Sequence, residues 1–237
     1  MPKDIYIFKR IEKKYLIDQK TKNLLLSEIS SRLVPDSHGK STVCSLYLDT
    51  PNYRIIRNSI EARVYKEKLR LRCYGTPHTD SKVFLEIKKK FKGVVYKRRV
   101  GMTLGDAYNY ISNSIKPCVS QIMSEIDYCM KFYNQPKPMA LISYEREAYF
   151  AKEHPDLRIT FDWGVRYRTQ DLLLENGSFG KPLLGDGQFI MEIKTAGAMP
   201  KWLSEALDKY RIFPRSFSKY GNAYREFSSN LNEPRVS

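Results

Sequence analysis

Residues 67–75 read EKLRLRCYG, a stretch in which Lys68, Arg70 and Arg72 alternate with two leucines and a cysteine. Successive side chains of a β-strand point to opposite faces, so this alternation predicts a strand with three cations on one face and apolar residues on the other. A row of three cations requires either solvent or an anionic partner, and the rest of the chain helps to distinguish the two.

The overall charge favours an anionic partner. The chain has 237 residues, of which 41 are Lys or Arg and 26 are Asp or Glu, for a formal net charge of +15. Hydrophobic residues make up 42% of the chain, and no linker divides it, so we expect one domain over residues 1–237 with a frayed tail after about residue 230. This charge fits nucleic acid, an anionic membrane or a polyphosphorylated small molecule.

The cysteine and histidine patterns exclude a zinc site or a disulfide framework from our expectations. The four cysteines form no CxxC pair, and the three histidines have no metal-ligand spacing. No apolar stretch approaches the roughly 20 residues that span a bilayer. The N-terminal sequence MPKDIYIFKRIEKK lacks the apolar run of a secretory signal, so we expect a cytoplasmic protein.

The same alternation recurs along the chain, between segments with helical spacing. Strands are predicted at residues 4–18, 41–49, 66–74, 82–90, 93–100, 139–150, 157–162 and 188–195, with a further short strand at 164–168. Helices are predicted at 19–33, near 55–56, as a pair within 103–133, and at 200–211. The close succession of strands indicates an antiparallel meander, so the predicted fold class is α+β.

Charges occupy one face of almost every predicted strand. The even-numbered positions carry them: Arg10, Glu12, Lys14, Lys68, Arg70, Arg72, Glu86, Lys88, Lys90, Arg146, Arg158, Asp162, Glu192 and Lys194. A solvated polar face is the ordinary explanation for any one such strand. However, the face is mainly basic, Glu-x-Lys recurs three times, and the helices need the apolar face to cover. We therefore predict a closed, eight-stranded antiparallel barrel with helices outside and a wet, charged lumen that binds phosphate.

Nine segments in chain order resemble one known family. They are EKKYLID, SLYLDT, LRLRCYG, FLEIKKK, KRRV, YEREAY, LRITFD, MEIKT and SFSKYGNAY, between about residues 8 and 224. The series is similar to the VTC domain of polyphosphate polymerases, within the triphosphate tunnel metalloenzyme superfamily. This resemblance implies a tunnel in which the terminal phosphate of ATP is transferred onto a growing polyphosphate chain with Mn²⁺ or Mg²⁺. It implies ATP and polyphosphate as partners rather than nucleic acid, and coupling to export would require association with a separate membrane protein.

The resemblance also implies roles for particular residues. The catalytic candidates are Arg70, Arg72, Arg146 and Lys88; we assign the three arginines to the transferring phosphate and Lys88 to the flanking chain. The substrate-binding positions are Lys14, Arg158 and Lys219, and the register adds Arg10 and Lys194. The metal-binding carboxylate is Glu192, with Glu12 and Glu86 as the other candidates. Arginine forks and lysine point charges can neutralise phosphate without covalent catalysis, and a carboxylate-held metal can bridge phosphate oxygens.

Two other functions remain open. Hydrolytic members of the superfamily carry Glu-x-Glu-x-Lys, whereas residues 10–14 here read RIEKK, so a cation replaces one carboxylate. Fewer carboxylates give less support for a second metal and an activated water, which favours a polymerase over a tri- or polyphosphate hydrolase. A nonenzymatic binder of polyphosphate or nucleic acid would also suit the charge, but it would display its cations in an open groove and needs no repeated Glu-x-Lys pairs.

Some side chains are ambiguous in register. At least one of Lys97, Arg98 and Arg99 should lie outside the tunnel as a solvated charge. Tyr47 and Tyr144 suit either stacking on a base at the tunnel mouth or burial as ordinary amphipathic aromatics, which is the commoner role.

Overall fold

The computed structural model describes residues 11–37, 39–62, 64–92 and 94–232, with side chains up to Ser229. The predicted site residue Arg10 and the start of the first predicted strand lie outside these residues. The described strands are β1 (Ile11–Asp18), β2 (Leu33–Pro35), β3 (Ser41–Asp49), β4 (Tyr65–Tyr74), β5 (Lys82–Phe91), β6 (Val94–Thr103), β7 (Lys137–Ala151), β8 (Arg158–Arg168), β9 (Lys181–Pro182) and β10 (Gln188–Thr195). The described helices are α1 (Gln19–Ile29), α2 (Arg54–Glu61), α3 (Leu104–Asn113), α4 (Gln121–Phe132), α5 (Lys201–Lys209) and α6 (Lys219–Asn232).

The strands form one antiparallel sheet of ten strands. Its main path follows the order β1-β10-β8-β7-β3-β4-β5-β6, while β2 pairs with β7 and β9 pairs with β8. The predicted α+β class and antiparallel sheet are therefore confirmed. Within the described residues the path is open, with β1 and β6 at its two ends, so closure into a barrel stays a prediction.

Three elements differ from those predicted by sequence periodicity. The helix expected at 19–33 ends at Ile29, because a 3₁₀ turn follows and Leu33–Pro35 then pair with β7 as β2. The two segments expected at 157–162 and 164–168 form one strand, β8, which continues through Gly164 in a left-handed backbone conformation (φ +57°). The basic, aromatic C-terminal segment, for which no helix was predicted, forms α6.

The chain divides into two compact units. Unit 1 comprises Met1–Lys40, Arg146–Trp163 and Asp186–Phe217, and unit 2 comprises Ser41–Glu145, Gly164–Gly185 and Ser218–Ser237. Each unit has its own hydrophobic core beneath helices.

In unit 1 the helices cover the apolar face of the sheet. Ile17 of β1 and Met191 of β10 pack in one cluster with Leu25 of α1 and Leu203 of α5. These strand residues are odd-numbered, and alternation places the even-numbered charges on the opposite face. The side of β1 and β10 that carries charge therefore faces away from the helices.

Unit 2 repeats this arrangement around the stretch 67–75. Leu69 and Leu71 of β4 are fully buried in a cluster with Leu104 of α3 and Ile126 of α4. Burial of such side chains is worth roughly 1.5–3 kcal/mol each, which fixes the register of the strand against the helices. The alternation of EKLRLRCYG is thus confirmed as a two-faced strand, with its cations on the side opposite α3 and α4.

None of the helices in the part of the chain that the structure describes combines the length and the apolar character needed to cross a membrane.

Candidate functional site

The densest group of cations in unit 2 lies across three adjacent strands. The pairing places Lys68 of β4 opposite Lys88 of β5, and Lys88 opposite Lys97 of β6. Two residues further along β4, Arg70 lies opposite Glu86 of β5, which in turn lies opposite Arg99 of β6. We refer to this surface, together with Arg72, as the β4–β6 cationic face; its members are Lys68, Arg70, Arg72, Lys88, Lys97, Arg99 and Glu86. Like charges placed directly opposite each other are destabilising, so this arrangement favours a bound anion.

Glu86 is the carboxylate at the centre of this face. Its side chain is inaccessible to solvent; Arg70 donates to Glu86 Oε2 from Nε at 2.9 Å and from Nη2 at 2.8 Å, and Lys97 Nζ lies 2.7 Å from Glu86 Oε1. Burial acts to raise the pKa of Glu86, but Arg70, Arg72 and Lys97 outweigh it and hold the pKa at about 2. Both oxygens of this candidate metal ligand are therefore engaged by cations, and its role as a metal ligand stays a prediction.

Arg72 is oriented by two hydroxyl groups. It is buried, and it donates from Nε to Ser45 Oγ at 3.1 Å and from Nη2 to the Tyr144 hydroxyl at 3.3 Å. Lys219, at the start of α6, lies over the ring of the same Tyr144 with its Nζ 4.2 Å from the centroid. Tyr144 is thus a buried aromatic that also contacts two predicted phosphate-binding residues.

The structure resolves the ambiguous run at residues 97–99. Arg98 Nε lies 3.2 Å from Glu125 Oε2 of α4, on the helix-covered side of the sheet. Lys97 contacts Glu86, and Arg99 lies over the ring of Phe84 at 4.6 Å. Arg98 therefore lies on the other face of the sheet from Lys97 and Arg99, paired with Glu125 rather than solvated, and its place outside a tunnel stays a prediction. Lys97 and Arg99 are additional candidates that the sequence assigned no role, because only the β5–β6 register shows which face they occupy.

Unit 1 carries a second charged surface, in which the signs alternate. On β1 and β10, Lys14 lies opposite Glu192 and Glu12 lies opposite Lys194. Along each strand the same charges are neighbours, since Lys14 Nζ is 3.6 Å from Glu12 Oε1 and Lys194 Nζ is 3.2 Å from Glu192 Oε1. Lys14 also donates to the Phe217 carbonyl at 3.0 Å.

Two arginines of unit 1 are held by aspartates. Arg146 binds Asp162 bidentately, with Nε to Oδ1 at 2.6 Å and Nη2 to Oδ2 at 2.8 Å, and its Nη2 lies 3.9 Å from Glu192 Oε2. Arg158 Nη2 donates to Asp36 Oδ2 at 2.7 Å. Asp162 is inaccessible to solvent and fixes the guanidinium plane of Arg146, a supporting role that sequence reasoning did not assign.

The candidate metal ligands of unit 1 lie beside an unpartnered hydroxyl. Thr160 is opposite Glu192 in the β8–β10 pairing, and its buried Oγ1 has no hydrogen-bond partner among the described residues. A carboxylate and a hydroxyl are hard oxygen ligands that suit Mg²⁺ or Mn²⁺, which commonly use one or two carboxylates together with substrate phosphates. Over residues 11–37, 39–62, 64–92 and 94–232, no group of three or more His, Cys, Asp or Glu side chains is arranged to hold a metal ion.

The sequence profile of the VTC domain matches residues 9–228, which includes both charged surfaces. This chain belongs to the VTC domain family. No curated protein sequence gives a significant match.

The VTC domain has solved structural neighbours at low sequence identity. A proposed adenylate cyclase from Bacillus halodurans aligns with a TM-score of 0.54 and 13% identity, over 92% of this chain and 98% of that one. A proposed adenylyl cyclase from Hippeastrum, which has a dominant triphosphatase activity, aligns with a TM-score of 0.53 and 15% identity, over 92% and 96% of the two chains. The likeness is one of fold.

The VTC domain thus groups the predicted residues into two sets. In unit 2, Arg70, Arg72, Lys88 and Glu86 share the β4–β6 cationic face, and Lys219 contacts Tyr144 beside Arg72. In unit 1, Glu12, Lys14, Arg146, Arg158, Glu192 and Lys194 lie on β1, β7, β8 and β10. Their assignment as catalytic, substrate-binding and metal-binding residues stays a prediction.

Proposed function

We propose that this VTC domain is a polyphosphate polymerase, which transfers the terminal phosphate of ATP onto a growing polyphosphate chain. The observation that carries the proposal is the β4–β6 cationic face, where Lys68 lies opposite Lys88 and Lys88 lies opposite Lys97. Glu86 is the carboxylate that Lys97 shares with Arg70. A linear chain of phosphates can contact several cations of such a row at once and so offset their mutual repulsion.

The arginines suit the transfer step. Phosphoryl transfer requires that dispersed negative charge be neutralised while the attacking and leaving oxygens are held in line. Arg72 is buried and Arg70 is half-buried, and both are pre-oriented by Glu86, Ser45 and Tyr144, so little reorganisation is needed when phosphate arrives. We assign these two arginines, with Arg146, to the transferring phosphate, and Lys88 to the phosphates that flank it.

The remaining cations suit the bound chain. We assign Lys14, Arg158, Lys194 and Lys219 to the flanking phosphates, together with Lys97 and Arg99, which the register adds to the cationic face. Arg10 belongs to the same proposed set on sequence grounds. Each provides a point charge or a fork that binds phosphate oxygens without covalent chemistry.

A divalent cation would be held by Glu192, with Glu12 nearby on the paired strand and the Thr160 hydroxyl as a further oxygen donor. When bound, Mn²⁺ or Mg²⁺ would supply charge neutralisation between phosphate oxygens of the donor. Lys14, Lys194 and Arg146, which contact or flank Glu192 in this structure, would then pair with substrate oxygens instead.

We also propose that the sheet closes into a single tunnel domain whose lumen is the charged side. Support comes from the cores, since in each unit separately the apolar face of the sheet is covered by helices, α1 and α5 in unit 1 and α3 and α4 in unit 2. ATP and polyphosphate are the proposed partners, nucleic acid is not, and delivery of product across a membrane would need a separate membrane protein.

The test is incubation of the purified protein with Mn²⁺, labelled ATP and a short polyphosphate primer, followed by sizing of the products on a gel. A polymerase yields a ladder of long chains, a hydrolase yields orthophosphate, and a nonenzymatic binder yields neither. Arg70→Ala should abolish the ladder, while Arg98→Ala, a matched loss of one arginine from the helix-covered side, should leave it unchanged. Orthophosphate as the sole product would refute the polymerase and favour the hydrolase.

A further inference from the structure

Tyr47 lies beside the β4–β6 cationic face, on the neighbouring strand β3. It lies on β3 directly opposite Arg70, and it is buried with about 5% of its surface exposed. Its ring stacks on Tyr220 of α6 with centroids 4.4 Å apart, and its hydroxyl oxygen accepts a hydrogen bond from Arg70 Nη1 at 3.3 Å. The hydroxyl oxygen is therefore aimed at the guanidinium that we assign to the transferring phosphate.

The charges around Tyr47 are mostly positive. From β4 it faces Lys68, Arg70 and Arg72, and Glu86 of β5 lies behind Arg70. From α6 it meets Tyr220, whose hydroxyl donates to Asp49 Oδ2 at 3.0 Å, and from β7 Tyr144 reaches the same arginines. Burial alone would raise the pKa of Tyr47, but the three cations outweigh it and lower the pKa to about 7.

The pKa of Arg70, the residue that contacts Tyr47, shifts in the direction expected for an anionic neighbour. Burial opposes the charge of Arg70, yet Tyr47 and Glu86 together raise the pKa of its guanidinium. By contrast, burial beside Asp49 raises the pKa of Tyr220, so the two stacked phenols differ sharply in their readiness to lose a proton. The cause is the sign of the nearest charge in each case.

We propose that Tyr47 is a proton-linked counterion of Arg70: ionised, it pairs with Arg70 in the empty site, and it takes up a proton when a phosphate oxygen replaces it. In this step the Tyr47 phenolate takes up one proton and becomes a neutral phenol. Arg70 then forms its ion pair with phosphate instead of with the phenolate. Tyr47 is a positioning residue in this scheme, because it acts on phosphate through Arg70. The inference rests on the proposed function in one respect, namely that the cationic face binds phosphate groups.

The sign of the linkage follows from the neighbouring charge. A bound anion beside Arg70 disfavours the phenolate and raises the pKa of Tyr47, so binding consumes protons and weakens as the pH rises above about 7. Where Tyr47 is ionised in the free protein and protonated in the complex, the affinity should fall by up to about tenfold per pH unit. Tyr47→Phe, which keeps the stacked ring and removes the titrating group, should lose this steepness.

The experiment has two readouts on the full chain at low salt, with tripolyphosphate as the probe. The first is the ultraviolet difference absorption of tyrosinate between pH 6 and pH 9, with and without tripolyphosphate. We expect one tyrosine to ionise with a midpoint near neutral pH and to be reprotonated when tripolyphosphate is added. The second is titration calorimetry in buffers of different ionisation enthalpy, which measures protons taken up on binding in the wild type, in Tyr47→Phe and in the stacked control Tyr220→Phe.

The outcomes separate this inference from the function on which it rests. Proton uptake in the wild type and in Tyr220→Phe, reduced in Tyr47→Phe, supports it. Tripolyphosphate binding with equal proton uptake in all three proteins, or without any tyrosinate near neutral pH, overturns the inference and leaves the proposed function standing. Failure of tripolyphosphate to bind the wild type overturns both. If Tyr47→Phe does not fold, the wild-type tyrosinate signal with and without tripolyphosphate decides the question alone.

Discussion

Replacing Glu86 with glutamine tests whether the β4–β6 cationic face is built for an anion. Glu86→Gln keeps the volume and one acceptor oxygen for Arg70, but it removes the negative charge shared by Arg70, Arg72 and Lys97. Without an added anion, these three cations repel one another with less compensation. We therefore expect the unliganded variant to be less stable than the wild type and to bind polyphosphate with higher affinity.

The size of the loss follows from the pKa of Glu86. That pKa falls from its usual 4.5 to about 2, and each pKa unit corresponds to about 1.4 kcal/mol, so the carboxylate contributes about 3 kcal/mol at neutral pH. Because the folded-state pKa is the lower one, this contribution is complete above about pH 4.5 and is lost as the pH falls towards 2. In a chain of this length, about 3 kcal/mol corresponds to a fall in melting temperature of about 6–12 °C.

The assay is thermal unfolding at pH 7 and at about pH 3, with and without tripolyphosphate. We expect the melting temperature of Glu86→Gln to lie furthest below that of the wild type at pH 7, and the difference to be smaller at pH 3. At pH 7 the difference should also shrink when tripolyphosphate supplies the missing negative charge. Glu125→Gln is the matched control: it removes a carboxylate from Arg98 on the helix-covered side, where a half-exposed pair is worth roughly 0–1 kcal/mol. A Glu86→Gln protein as stable as Glu125→Gln, or a deficit that tripolyphosphate does not reduce, would refute the reasoning.

Three further predictions concern single side chains. Lys97→Gln should weaken tripolyphosphate binding by about tenfold or more, since a charge-assisted contact is worth about 1.5–3 kcal/mol, whereas Arg98→Gln should bind as the wild type does in the same calorimetric titration. Glu192→Gln should abolish Mn²⁺-dependent turnover while far-ultraviolet circular dichroism stays unchanged. Near-normal turnover would show that a carboxylate other than Glu192 binds the metal. Arg70→Ala should lower the initial rate even on short primers, whereas Lys219→Ala should shorten the product more than it slows the first transfer. Identical product lengths and identical rate losses for those two variants would contradict the division between transfer site and chain track.

The sequence alone determined which residues face together within a strand. The period of two in EKLRLRCYG assigns Arg70 and Arg72 to one side and Leu69 and Leu71 to the other, because adjacent side chains of an extended chain must point in opposite directions. Helix pairs, strand positions and the α+β class followed from the same local periodicities. The VTC resemblance followed from the order of the motifs, and residues 9–228 confirm it.

Local periodicity was insufficient where the neighbouring element decides the outcome. The helix predicted at 19–33 stops at Ile29, and Leu33–Pro35 pair with β7, since that strand offers hydrogen bonds that an isolated turn of helix cannot match. The C-terminal α6 was missed for the same reason, because its apolar side chains find their partners elsewhere in unit 2. Tyr220, for example, stacks on Tyr47 and donates to Asp49.

The chemistry of the site depended most on tertiary structure. From the sequence, Tyr47 was interpreted only as a stacking or buried aromatic, and the three cations at residues 97–99 could not be told apart. Cross-strand register then placed Lys97 on Glu86, Arg98 on α4, and Tyr47 against Arg70. A pKa or an ion pair depends on distance and burial, and those are set by strands far apart in the chain. The sequence determines which charges are available, and only folding decides which of them meet.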